Sequence, residues 1–177
     1  MNSEELEKNF LDLYNAESDA IFRYCYLRTS DREQALDLTQ DTFVRFWSSL
    51  TRNQDISNYR AFLFAIARNL VIDWYRKKKS ISLEALAEEA GVDIEMFLGT
   101  GSERDLELEA DAAYIVKKIG ELEPLYQQAV YLRFVEDLKP KEIAEILGES
   151  PNTISVRINR GLEKLRMIAG MKDEQLS

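Results

Sequence analysis

The sequence contains no histidine, a single cysteine, three prolines and seven glycines in 177 residues. Each shortage removes something. Without histidine there is no Ser-His or Cys-His nucleophile pair. One cysteine, Cys25, forbids an intrachain disulfide, and the usual nitrogen and sulfur ligands of a zinc site are missing. Cys25 therefore reads as a small core residue, the common fate of a free thiol. No Gly-rich phosphate loop or metal-ligand cluster stands out either, so no catalytic residue, cofactor or metal is expected. No stretch approaches the ~20 consecutive apolar residues needed to span a bilayer. The segment Met1 to Lys8 is polar and acidic, unlike a secretory leader, which places the chain in the cytoplasm with no membrane insertion.

What is present is charge, unevenly placed. The net charge of −9 argues at first against a nucleic-acid partner, but its distribution reverses that. Residues 1–79 balance 12 acids against 12 bases, and residues 113–177 balance 10 against 10. The whole excess lies in residues 80–112, with 10 acids and one base, Arg104. Each flanking part has its own basic cluster.

Apolar residues recur at helical spacing nearly throughout, and strand-like alternation is scarce. The expected fold is all-α: two small helical domains joined by an acidic flexible linker. The boundaries fall at 1–79, 80–111 for the linker, 112–172, and a tail at 173–177. Phe10, Leu13, Tyr14, Ile21, Tyr24 and Leu27 suit one or two amphipathic helices, broken at Ser30 and Asp31. Ala35, Leu38, Thr39, Thr42, Phe43, Phe46 and Trp47 line a second face. Thr51 to Asn58 is a polar loop, and Ser57 or Asn58 is placed to cap a helix from Tyr59 to about Lys78. A short helix from Leu83 to Ala90 fits within the linker. Beyond it, one helix should begin near Glu103 and end about Leu122, and another should follow Pro124.

The strongest local signal is Leu138 to Arg166. Pro140 suits a first helical turn. Ile143, Ala144 and Leu147 face inward, Gly148 permits a reversal, and Ser150 with Pro151 caps and opens a second helix running to about Met167. Helix, short glycine turn and capped helix make the pattern of a DNA-reading helix-turn-helix. On a wheel of about 100° per residue, Ile154, Ile158, Leu162 and Leu165 form an inner stripe. Asn152, Val156 and Asn159 face outward, and Arg157, Arg160 and Lys164 form one basic shoulder. The outward centre suits base edges and the shoulder suits phosphates. An ordinary helical hairpin with a solvated basic face fits the same segment. Similarly, Tyr59 to Lys79 combines aromatics with Arg68, Asn69, Arg76, Lys77, Lys78 and Lys79, as a single-strand reader would. Aromatics at this spacing are more often core.

Three segments together resemble a known family. Asp37-Leu38-Thr39-Gln40-Asp41-Thr42-Phe43, followed by Phe46-Trp47, resembles the polymerase-binding segment of the extracytoplasmic-function group of sigma-70 factors. Ala61-Phe62-Leu63-Phe64-Ala65-Ile66-Ala67-Arg68-Asn69-Leu70, with Asp73 and Arg76, is similar to the group's promoter −10 segment. Glu142 to Gly148 and Thr153 to Arg160 resemble its −35-reading segment. Phe62 stands where the family commonly has tryptophan, and Val156 where it often has a small hydroxyl. The resemblance implies a sigma factor that recruits RNA polymerase to promoters and catalyses nothing itself. Asp37, Gln40, Asp41 and Phe43 would bind the polymerase, whose β′ clamp and β flap are the implied surfaces. Asn53, Asn58, Arg68, Asn69, Arg76 and Lys77 would act on the −10 element. Asn152, Thr153, Ser155, Val156, Arg157, Asn159, Arg160 and Lys164 would act on the −35 element. Promoter DNA is thus a partner, and the group often has an anti-sigma factor, which the sequence leaves open. Two accounts of the acidic linker also stay open: a solvated tether, or Glu84, Glu88, Glu89, Asp93 and Glu95 imitating phosphates. The competing reading is a helix-turn-helix regulator that is not a sigma subunit.

Overall fold

A computed structural model describes residues 2–81 and 106–170. Among them are seven α-helices and no strand, in two compact units. The expected short helix at Leu83 to Ala90, the five linker acids, Glu103 and the tail at 173–177 lie outside the described residues.

The first unit holds three helices: α1 (Ser3–Thr29), α2 (Arg32–Thr51) and α3 (Tyr59–Ile81). Local chemistry sets their ends. The Asn2 side chain accepts from the Glu5 N–H, and Glu4 and Glu5 sit at the positive helix N-terminus. At the other end Ser30 takes a left-handed conformation, φ 51°, and its N–H donates to the Tyr26 carbonyl. Asp31 then caps α2 through the Gln34 N–H. Of the two capping candidates for α3, Asn58 is the one used, accepting from the Ala61 N–H at 3.0 Å.

Packing in this unit concentrates where α1 ends. Ile21, Tyr24, Cys25 and Leu27 of α1 are buried, as are Ala35 and Leu38 of α2 and Leu63, Phe64 and Ala67 of α3, while Phe46 is buried beside Phe10 further along α1. Tyr24 and Phe64 meet edge to face with centroids 5.7 Å apart. Thr39 and Thr42 enter this core because their hydroxyls donate to the Ala35 and Leu38 carbonyls at 2.6 and 2.7 Å. Burial pushes the Cys25 thiol up to about 12, so it is neutral at physiological pH and an inert core residue. Arg60 clamps α3 to α1 through Glu17 at 2.9 Å.

The second unit holds α4 (Leu106–Gly120), α5 (Pro124–Phe134), α6 (Pro140–Leu147) and α7 (Pro151–Ile168). Proline opens three of these helices, where its missing N–H costs nothing. The Glu142 carboxylate accepts from the Lys139 N–H at 2.7 Å, Gly148 supplies φ 67°, and Ser150 accepts from Thr153. The core is Val116, Ile119, Val130, Leu132, Leu138, Ile143 and Ile154. Glu136 is buried there too, its carboxylate accepting from the Tyr131 hydroxyl at 2.7 Å.

Gly161, inside α7, is a packing residue the helical pattern did not reveal. It is buried, and a Cβ there would lie 2.5 Å from Cγ2 of Val130 and 3.4 Å from Cβ of Tyr126. Overpacking costs about 1–3 kcal/mol, while Gly to Ala inside a helix returns about 0.8–1.0 kcal/mol. Gly161→Ala should therefore destabilise the chain by about 1 kcal/mol net, read from urea unfolding. A gain in stability would show that α5 yields without strain.

Candidate functional site

Three surfaces carry the residues singled out above. On α2, Asp37, Gln40 and Asp41 are exposed and have no ion-pair partner among the described residues. Phe43 differs from them. It is 3% exposed, its ring against Phe10 and Tyr14 at 6.2 and 4.7 Å, so it builds the floor of the surface. Helical spacing adds neighbours to the three polar groups. Leu36 and Val44 share their side of α2 and are exposed, Val44 at 64%. A groove of about 660 Å³ continues from Gln40, Val44 and Trp47 on α2 onto α1, over Phe10, Leu11 and Tyr14. An exposed apolar strip beside unpaired acids has the chemistry that a basic protein partner would meet. In the sequence Tyr14 reads as part of an apolar helix face, and Leu11, Leu36 and Val44, which lie off the apolar stripes, are not singled out.

On α3 the structure separates Arg68 from Asn69, Arg76 and Lys77, with which the sequence grouped it. Tyr59, Phe62, Ile66, Asn69, Asp73, Arg76 and Lys77 follow one outer side at three- and four-residue steps, all exposed or half-buried. Arg68 lies on another side, half the helix circumference from Lys77. It is half-buried toward α1, its charge acting on the buried Tyr24 hydroxyl. Burial raises the pKa of that hydroxyl strongly, and Arg28 and Arg68 pull it the other way. The Arg68 Nε is buried and makes no hydrogen bond. Beside it Tyr75 donates to the Arg28 carbonyl and lies under the Arg28 guanidinium at 5.3 Å. Asn58 is half-buried by its capping role, while Asn53 is exposed in the loop at φ 54°, a conformation asparagine tolerates.

On α7 the inner side is Ile154 and Ile158, buried, with Leu162 and Leu165 only half-buried. Asn152, Val156, Asn159 and Arg160 are exposed together. Thr153 and Ser155 are turned to local bonds, with the Ser150 hydroxyl and the Pro151 carbonyl. The expected basic shoulder divides. Arg160 has no ion pair among the described residues. Arg157 donates from Nη2 to Glu149 at 2.6 Å, and Lys164 reaches Glu123 at 3.3 Å while lying over the Tyr126 ring. An exposed row of amide and guanidinium groups on a capped second helix offers the donors and acceptors that read a major groove.

The family model for sigma-70 region 2 matches residues 13–81, and that for sigma-70 region 4 matches residues 112–165. The ECF RNA polymerase sigma factor SigW of Bacillus subtilis is 30% identical over 163 residues, covering 89% of this chain and 87% of SigW. The chain belongs to the extracytoplasmic-function group of the sigma-70 family. It is therefore a non-catalytic subunit that directs promoter-specific transcription initiation by RNA polymerase. The RNA polymerase sigma factor YlaC of the same organism is 28% identical over 155 residues, 88% of each chain. Among solved structures, the sigma factor RpoE of Bartonella quintana, in complex with the anti-sigma factor NepR, superposes with a TM-score of 0.74. That match covers 93% of this chain and 99% of RpoE at 21% identity, a likeness of fold. Helices α1–α3 are thus region 2 of the sigma factor and α4–α7 its region 4. Membership removes the competing regulator, which has no use for region 2. No described helix is long and apolar enough to cross a membrane.

Proposed function

We propose that this sigma factor divides its work among the three surfaces. Asp37, Gln40 and Asp41, on the floor that Phe43 builds, dock on a basic surface of the polymerase β′ clamp. The outer side of α3, with Asn53 and Asn58 at its loop, engages the −10 element. Helix α7 enters the major groove at −35 beside the β flap, with Asn152, Val156, Asn159 and Arg160 toward base edges. The observation that carries this reading is that the residues exposed on α7 are those opposite the buried Ile154 and Ile158. The functional domains are 1–79 and 112–172, joined by residues 80–111, which include the end of α3 and the start of α4, and followed by the tail 173–177. The protein works in the cytoplasm, where its polymerase is. RpoE of Bartonella quintana was solved with an anti-sigma factor, and CnrH with the cytosolic domain of CnrY. A partner of that kind is proposed here too. Transcription in vitro with core polymerase on a random promoter library tests the whole reading. Enrichment of paired −10 and −35 elements is expected, and transcripts without sequence enrichment would refute it.

Within region 2 the cations should separate by function. Arg76→Ala with Lys77→Ala removes two exposed charges from the outer side of α3, where a single strand can be tracked. Permanganate reactivity of the opened strand should fall, with initial duplex binding nearly kept. Arg68→Ala should lower thermal stability more than it lowers opening, because Arg68 lies in the α1–α3 packing. The reverse ranking would make Arg68 the strand-contacting residue.

A further inference from the structure

The two ion pairs on α7 have a consequence for promoter choice that rests on the reading of α7 as the −35 helix. Arg157 and Lys164 are seven residues apart, two helical turns, and so share one flank. Each is met by a carboxylate from outside α7: Glu149 from the turn after Gly148, and Glu123 from the residue before α5. The Arg157 pair is short, and its side chains are 18% and 36% exposed. The Lys164 pair is looser, at 43% and 67%.

A phosphate rewards net positive charge and is the same at every base pair. A guanidinium already neutralised at 2.6 Å has little to offer it. Asn152, Val156, Asn159 and Arg160, the exposed residues placed toward base edges, lie outside these two pairs, so their contacts with a base are unaffected. Pairing thus lowers sequence-independent attraction more than sequence-dependent contact. We propose that Glu149, and more weakly Glu123, are specificity-determining residues that withhold Arg157 and Lys164 from the phosphate backbone, so that α7 binds poorly to DNA lacking its element.

The test uses holoenzyme made from core polymerase and full-length wild type, Glu149→Gln, Glu123→Gln or the double variant. Binding is measured across a salt series on a duplex promoter whose −35 element this holoenzyme selected from a random library. The same duplex with that element scrambled is measured in parallel. Each substitution should tighten binding to the scrambled duplex and lower the selected-to-scrambled ratio. The slope of log K against log salt should steepen by about 0.9 per released cation. Glu149→Ala, which removes the residual amide contact, should act in the same direction. Ratio and slope equal to wild type overturn the proposal, even if thermal stability falls, since the bridges would then serve folding alone. Arg160→Ala, run alongside, separates the two ideas. If it weakens the selected duplex while the Glu variants do nothing, only the specificity role fails. If it too does nothing, the placement of α7 at −35 fails.

Discussion

Replacing Asp41 with Lys is expected to weaken assembly with core RNA polymerase by about 2–5 kcal/mol, the range for losing one member of a charge pair that becomes desolvated in an interface. The isolated protein should remain folded. Asp41 is exposed in the middle of α2, away from the helix ends where charge meets the macrodipole, and it holds no ion pair among the described residues. Lysine is also the better helix former. Thr42, Phe43 and Phe46, on the inner side of the same helix, are untouched. The reversal adds a repulsion to the lost attraction, so it should exceed Asp41→Asn and lessen at high salt. Competition against labelled wild-type chain for limiting core polymerase measures the effect, with circular dichroism as the folding control. Equal competition would put the docking face elsewhere on the chain. Val44→Ala is a second probe of the same face, reporting its apolar part without a change in charge.

Local chemistry made much of the fold legible. The break at Ser30 and Asp31, the cap at Asn58 and the series Gly148, Ser150, Pro151 each depend on a residue and its near neighbours, and each is formed. Inner and outer sides of α7 also followed from period alone, though Leu162 and Leu165 are only half-buried near the helix end. What the sequence could not supply were partners brought close by tertiary packing. Glu123 and Lys164 are 41 residues apart, and no periodicity links them. Gly161 was visible as a glycine inside a helix, but its reason is Val130 on α5. Arg68 was grouped with Arg76 and Lys77 by composition, whereas helical geometry turns it toward Tyr24. The same limit applies to the basic shoulder of α7: three cations of one sign look equivalent until the acids that meet two of them are known.

That division ranks the α7 cations, and the ranking is the second large effect expected. Arg160→Ala should weaken holoenzyme binding to a library-selected promoter by about 1–3 kcal/mol and relax discrimination at one −35 position. Arg160 is exposed next to Asn159 and one turn from Val156, and it needs to break no ion pair to reach DNA. Arg157→Ala should cost less, because Arg157 shares its guanidinium with Glu149 and the variant also frees that carboxylate. Neither residue packs in the buried stripe of Ile154 and Ile158, so both variants should fold. Binding is measured on the selected duplex and on a set with each −35 position changed in turn. A loss for Arg160→Ala concentrated at one position means that it reads a base edge. A uniform loss, with the salt slope shallower by about 1, would make it a phosphate contact instead. The ranking itself fails if Arg157→Ala costs more than Arg160→Ala, for then the Glu149 bridge opens freely and a paired arginine serves the groove as well as an unpaired one.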